Sequence, residues 1–309
     1  MRDLRAHAFL SCLFLLMMHS KGMGQAGFTP RSYYELRVSA GPSLFFGDLG
    51  GSNGNGKRAF FDLDPGSFGP CAGIGLKFNV LPSISIRGDI NYSQHSGDDA
   101  ESENKDRFTR NLSFRTNLTE IAATAEVRLI DLSRWRRFSK RSGILYLFTG
   151  IGMFWFDPQA EYDGEWYHLQ QLGTEGQGLT GNPDFYSRVS YSIPYGLGIQ
   201  RALGKKSTLG IELAMRKSFT DYIDDVSGSY GDKEAIRAER GDVAAALSDR
   251  SLGEPRNRKG NLRGNPNQND NFSFMQVTYS RSIGNKKTVW SRKKRGYKSM
   301  DGNRKCPEW

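Results

Sequence analysis

The sequence predicts an all-β fold, an eight-stranded antiparallel transmembrane β-barrel with short periplasmic turns and long extracellular loops. Apolar residues recur at every second position in eight segments, and these segments are joined alternately by short and long connections. Beyond the N-terminal leader, no run reaches the roughly 18 consecutive apolar residues that a spanning helix needs. The mean hydropathy of -0.58 does not oppose this reading, because averaging over both strand faces conceals the lipid-facing half.

In chain order, the first element is a secretory leader over residues 1–24. Arg2 and Arg5 precede an apolar core from Ala6 to Met18, and small residues follow, with cleavage after Gly24 or Ala26. Leu10-Ser11-Cys12 resembles a lipobox, but Cys12 lies inside the apolar run with LFLLMM still to come, which disfavours lipidation. Residues 25–284 then form the barrel and 285–309 a basic periplasmic tail.

The predicted strands are Tyr33 to Phe46, Phe68 to Val80, Ser83 to Gln94, Asn111 to Ile130, Gly143 to Phe156, Val189 to Ile199, 208 to 219, and Phe272 to Ile283. The seventh is typical: Leu209, Ile211, Leu213 and Met215 alternate with Gly210, Glu212, Ala214 and Arg216. In the sixth, Pro194 is awkward for a paired strand and predicts a bulge. Short connections lie at Leu81-Pro82, at the DLSRWRRFSKRS segment and at Gly204-Lys205-Lys206. Long ones run over 47–67, 95–110, 157–187 and 223–270. An even strand count returns both termini to the periplasmic side.

Aromatic residues gather near the long-loop ends: Phe45, Phe46, Phe68, Tyr92, Trp155, Phe156, Phe219, Tyr222, Phe272 and Phe274. They read as an interfacial girdle. A soluble barrel with its greasy face inward shows the same alternation, and the sequence alone permits that inversion.

With the polar face inside, the lumen collects Glu35, Arg37, Lys77, Arg87, Asp89, Glu120, Glu126, Arg128, Glu212 and Arg216. Eight strands enclose only enough room for their own side chains. These charges are expected to pair across the interior and block it, which argues against a diffusion pore.

Candidate chemistry is sparse. Once the leader is removed, the remaining histidines are His95 and His168. His95 neighbours Ser93, Ser96, Asp98 and Asp99, the ingredients of a Ser/His/acid lipid hydrolase, while the plainer reading is a solvated loop histidine. His168 lies in a Gly-interrupted loop with Trp166 and Tyr167. Nothing fixes a metal-ligand spacing among these residues. Asp224-Asp225 lacks the spacing of a calcium loop and reads as loop solvation. Cys71 and Cys306 make no disulfide framework. No catalytic set, metal site, cofactor motif or small-molecule site emerges, and the compartment excludes nucleic acid.

Charge does localise. The chain carries a formal net charge of +10. From residue 285 onward, nine Lys and Arg residues, among them Arg292, Lys293, Lys294 and Arg295, face only Asp301 and Glu308. Arg134, Arg136, Arg137, Lys140 and Arg141 surround Trp135 and Phe138 on one short connection, and Lys205-Lys206 lie on another at the same end. Such an end fits anionic head groups of outer-membrane lipid, or an acidic periplasmic partner with Trp135 and Phe138 as apolar anchors.

Several strings go beyond general barrel patterning: YYELRVSAGPSLFFGDLGG, LFTGIGMFWFDPQAEYDGEWYHLQQLGTEGQG, YSIPYGLGIQRALGKKSTLGIELAMRKSFTDYIDDVSGSY, AAALSDRS and RGNPNQND. In order and spacing, from Tyr33 to Tyr279, they resemble the PorG-type outer-membrane barrel family. That resemblance implies a non-enzymatic component of the type IX protein secretion machinery of Gram-negative bacteria. It further implies a membrane anchor associated from beneath with a periplasmic ring of PorK-like and PorN-like proteins. It carries over no catalytic residues and does not extend to the tail from Asn285. A stand-alone surface or adhesion barrel and an outer-membrane lipid hydrolase are the alternatives.

Overall fold

The computed structural model describes residues 32–49, 68–102, 104–131, 143–204, 206–252 and 259–283. The leader, the 132–142 connection with its Arg134 to Arg141 cluster, Lys205, Cys306 and the tail with Arg292 to Arg295 lie outside the described residues.

The strands are β1 (Tyr33–Phe46), β2 (Phe68–Asn79), β3 (Ile84–Asp98), β4 (Ser113–Asp131), β5 (Gly143–Tyr162), β6 (Glu165–His168), β7 (Val189–Ala202), β8 (Ser207–Ser218) and β9 (Asn271–Ile283). All pairings are antiparallel, in the order β4-β3-β2-β1-β9-β8-β7-β5, and a β4–β5 pairing closes the ring. Eight strands therefore form the barrel. β6 is a ninth that sequence alternation misses: it is only four residues long, folds back on the outer end of β5, and pairs there alone (Gln159 with His168, Tyr162 with Glu165).

The alternation resolves with its polar side inward. Ile74, Ile86, Ile90, Ile121, Ile151, Ile211 and Val277 are all exposed on the outer wall, while Glu35, Arg37, Lys77, Arg87, Glu126 and Glu212 are buried within. An aqueous environment would favour the reverse, so this polarity is that of a barrel solvated by lipid. At about 3.3 Å per residue and a tilt of about 40°, the outward run from Leu145 to Trp155 covers about 25 Å, the height of an outer-membrane apolar band. No described helix is long and apolar enough to cross a membrane.

Three local expectations are corrected. Pro194 makes no bulge. It sits opposite Arg216 in an unbroken β7–β8 register, and on the β5 side, where it lacks a donor, two rungs are skipped without a register shift. The register does shift between Arg128 and Ile130 on β4. The aromatic girdle divides by strand parity: Phe68, Tyr92, Trp155 and Phe219 face outward, but Phe45, Phe156, Phe272 and Phe274 point into the barrel and are buried. Finally, β3 and β5 continue beyond the predicted ends at Gln94 and Phe156 and raise the wall above the apolar band.

The long-loop end carries α1 (Lys105–Arg110), α2 (Leu169–Leu172) and α3 (Lys233–Ser248). Asn104 caps α1 and Asp232 caps α3, each accepting from backbone amides of the first turn. α3 breaks at Gly241, whose φ of 86° with extended ψ is a conformation that only glycine adopts without strain.

Candidate functional site

From the short-turn end upward, the barrel interior holds three layers. The first is ionic. Arg87 pairs with Asp89 at 2.6 Å, Glu212 at 2.8 Å and Glu126 at 3.8 Å, while Arg37 pairs with Asp89 at 3.1 Å and Glu212 at 2.9 Å. Lys77 bonds Glu126, and Arg216 meets Glu120 at 3.2 Å. Tyr146 donates to Glu212 at 2.9 Å, and Arg128 donates to Asn79 and to the Pro82 carbonyl. Glu35 is buried on the same inner face. Positive and negative groups are equal in number and most are paired, though Arg37 Nη2, Glu126 Oε2 and Arg128 Nε lack a hydrogen-bond partner, so the layer fills the lumen with largely neutralised charge. The purified barrel in a planar bilayer is therefore expected to show no steady conductance, and porin-like steps would contradict a filled lumen.

The second layer is aromatic. Arg216 stacks on Phe274 at 3.8 Å. Above it Phe272 contacts Phe154 edge-on at 5.4 Å, His95 at 5.4 Å and Phe274 at 5.6 Å. Phe45 and Phe114 pack at 4.9 Å. His95 is thus not a solvated loop residue: the extension of β3 carries it into this layer, where it is fully buried. Ser93 Oγ lies 3.0 Å from its Nε2, as a nucleophile and base would. Yet Ser93 is equally buried, and His95 Nδ1 has no hydrogen-bond partner to orient it. Asp99 is engaged by Arg110 instead. Lipid on the outer wall has no access to this pair.

The third layer is a loop cap. Arg110 ties three chain segments with one guanidinium: both Asp99 oxygens (2.7 and 2.9 Å), the Arg263 carbonyl (2.7 Å) and the Asp48 carbonyl (2.8 Å). Arg263 bonds Glu175 at 3.3 Å and approaches Asp225 at 3.7 Å. Glu175 accepts from the Ser227 and Gly228 amides. Asp224 accepts from the amides of Asp48, Leu49 and Val226. Asp225 accepts from Thr174 and from Tyr186, and burial pushes it up to about 6. Asp224 and Asp225 are both fully buried, so their reading as solvated loop carboxylates is corrected; their oxygens replace water with backbone and hydroxyl donors. Arg240 of α3 reaches the carbonyls of Leu172 and Gly173 and lies over Phe185 at 4.9 Å.

This cap gathers the strings that single the sequence out. Glu175 comes from LGTEGQG, Asp224 and Asp225 from FTDYIDDVS, and Arg263 and Asp270 from RGNPNQND. Sequence reasoning sees those strings but not that they meet.

His168 is exposed beside the cap, 2.8 Å from Asp157, which also binds Arg188 at 3.0 Å. Among the described residues, no three His, Cys, Asp or Glu side chains are arranged to hold a metal ion. Cys71 is buried and unpaired. At the opposite, short-turn end, Arg201, Lys206 and Arg281 are exposed.

A family model described as "Domain of unknown function (DUF6089)" matches residues 8–244. No curated protein matches the chain. Among solved structures, the chain is similar to Ail, the attachment invasion locus protein of Yersinia pestis, crystallised with the heparin analogue sucrose octasulfate. The identity is 9%, the TM-score is 0.36, and 82% of this chain and 99% of that chain are covered. It is also similar to Neisserial surface protein A, at 7% identity and TM-score 0.36 over 82% and 99%. A major outer membrane protein from Thermus thermophilus matches at 9% identity and TM-score 0.33 over 82% and 100%.

Proposed function

Since this chain belongs to the DUF6089 family, whose description assigns no activity, we propose its role from the geometry: a structural, non-enzymatic outer-membrane subunit that docks a periplasmic assembly. The observation that carries the reading is the sealed lumen, closed by paired charge, aromatic rings and the loop cap. A barrel whose interior is filled in this way acts through its ends.

The short-turn end supplies a basic surface. On this reading the site comprises Arg134, Trp135, Arg136, Arg137, Phe138, Lys140 and Arg141 of the connection between β4 and β5, Lys205 and Lys206 between β7 and β8, and Arg292, Lys293, Lys294 and Arg295 after β9. The exposed Arg201, Lys206 and Arg281 give this end positive charge among the described residues too. With both termini in the periplasm, this end faces inward and presents cations around two aromatic anchors, a surface suited to an acidic protein. The resemblance to PorG-type barrels supplies the candidate partner, a PorK-like and PorN-like ring of the type IX secretion machinery.

Gentle detergent extraction of the tagged protein is expected to co-purify periplasmic ring proteins. Reversing Arg134, Arg136, Arg137 and Arg292 to Arg295 to glutamate is expected to cut their recovery at least tenfold while the barrel still folds. An unmodified chain that brings down no periplasmic protein would remove the basis for docking. A secretion defect on deletion that full-length protein rescues and the charge-reversed protein does not would tie docking to export.

A further inference from the structure

The cap contains a group of carboxylates that its cations do not neutralise. Asp48 follows β1, Asp221 and Asp224 lie in the β8–β9 loop, and Asp270 immediately precedes β9; Asp224 and Asp270 are fully buried and Asp221 nearly so. Asp224 is satisfied by three backbone amides. Asp270 is only half satisfied. One oxygen accepts from the Ile223 amide at 2.8 Å, and the other, Oδ1, has no partner. Neither oxygen of Asp221 has a partner in hydrogen-bonding geometry, and the nearby Ser227 favours its ionised form against the larger effect of burial.

The groups facing this cluster can be taken element by element. α1 contributes Arg107 and Arg110, and Arg110 already spends two donors on Asp99. The β5–β7 loop contributes Glu175, another carboxylate, which is bonded to Arg263. Asp225, on the far side of Asp224, is held by Thr174 and Tyr186 and faces Arg263. Arg107 and Arg110 act on Asp48 and Arg110 also on Asp224, while Asp221 and Asp270 face carboxylates rather than cations. Full ionisation in so dry a space would be strongly repulsive. Among the described residues no three carboxylates converge closely enough to share a metal ion, so the relief these side chains offer is a proton.

We infer that Asp221, Asp224 and Asp270, with Asp48, form a proton-held latch that keeps the cap closed over the barrel mouth and releases it as protons are lost. The unpartnered oxygens of Asp221 and Asp270 are where the protons would sit. Burial and mutual repulsion act in the same direction, raising Asp48, placing Asp224 and Asp270 well above the usual carboxylate range and pushing Asp221 up to about 7. The sign follows. A carboxyl whose value is raised in the closed state favours closure while protonated, and that favour is lost as pH climbs from the ordinary carboxylate range to about 7. Opening exposes the cluster to water and lets its proton leave. The parts that loosen are those the cluster anchors: the Ile223 amide on Asp270 and the Leu49 amide on Asp224.

The test is amide hydrogen exchange of the full chain in liposomes, followed in peptides from 219–230 and corrected for the intrinsic base-catalysed rate. Between pH 5 and 7 the opening equilibrium is expected to rise about tenfold per pH unit for one released proton, while barrel-strand amides stay protected. Asp221→Asn and Asp270→Asn, which remove charge at constant shape, are expected to flatten that rise. Asp232→Asn, at the exposed α3 cap, is expected to leave it intact. A wild-type equilibrium that does not change with pH would overturn the latch, and this outcome is readable even if a variant fails to fold. An unchanged slope in both cluster variants would also overturn it, as would protection that follows added calcium at fixed pH.

Discussion

Glu212→Leu is expected to lower barrel stability by about 3–5 kcal/mol, the largest effect of any single lumen change. Glu212 is 1% exposed, accepts hydrogen bonds from Arg87 at 2.8 Å and Tyr146 at 2.9 Å, and forms an ion pair with Arg37 at 2.9 Å. Removing it leaves two buried guanidiniums sharing Asp89, with Glu126 only at 3.8 Å from Arg87. The remaining guanidiniums are themselves buried, at 3–4% exposure, so the lost acceptor is not replaced by bulk water. Urea titration in lipid vesicles, read by the gel mobility of unboiled samples, measures the effect. A loss under about 1 kcal/mol would mean that packing, not charge pairing, fills the barrel. Glu212→Gln keeps an acceptor but drops the charge, so it is expected to fall between the two.

Arg110→Ala is expected to loosen the cap by about 3 kcal/mol or more while leaving urea unfolding of the strands little changed. The lost guanidinium would strand Asp99, which is fully buried and would keep the Leu112 amide at 3.2 Å. It would also free two carbonyls, on Asp48 and Arg263, in separate loops. Limited proteolysis within 219–270 is the measurement, and cleavage at the wild-type rate would contradict the assignment of Arg110 as the tie. Arg110→Lys is expected to rescue poorly, since one ammonium cannot span acceptors in three segments that a planar fork reaches together.

The wall of this barrel is written in the sequence because period two has only two phases. Once Leu209, Ile211 and Leu213 share a face, Glu212 and Gly210 must share the other. What alternation leaves open is which face is wet, and the exposed isoleucines and buried arginines of the folded chain decide that. The same parity rule, applied residue by residue, separates Trp155 from Phe156 and assigns one to the membrane surface and the other to the plug. Treating aromatics as a group blurs that distinction. β6 was illegible for a different reason: four residues give too short a run for periodicity, and its pairing depends on a turn at Asp163 and Gly164, both at positive φ.

The cap was the least legible part. Its strings look like solvated loop, rich in Asp, Gly, Asn and Ser, and composition cannot show that Asp224 will find two backbone donors in a distant segment besides the one in its own loop. Its partners lie on both sides of a gap of more than a hundred residues, as when Asp48 meets Asp224 and Asn265. Only the closed ring brings those loops over one mouth.

The meeting of the first and last strands has a consequence for how the molecule is made. Phe46 pairs with Asn271, and Tyr34 with Ile283, so the ring cannot shut until its final strand has been delivered. Hairpins in between can zip locally, but this seam is the most distant pairing in the chain and the costliest in chain entropy. Asp270, the residue just before β9, reaches back to Ile223 and thereby couples the roof to the seam. A chain cut short of residue 270 would therefore lose wall and roof together. Assembly is all-or-none at its last step, with the finished loop surface itself the sign that the circle has closed.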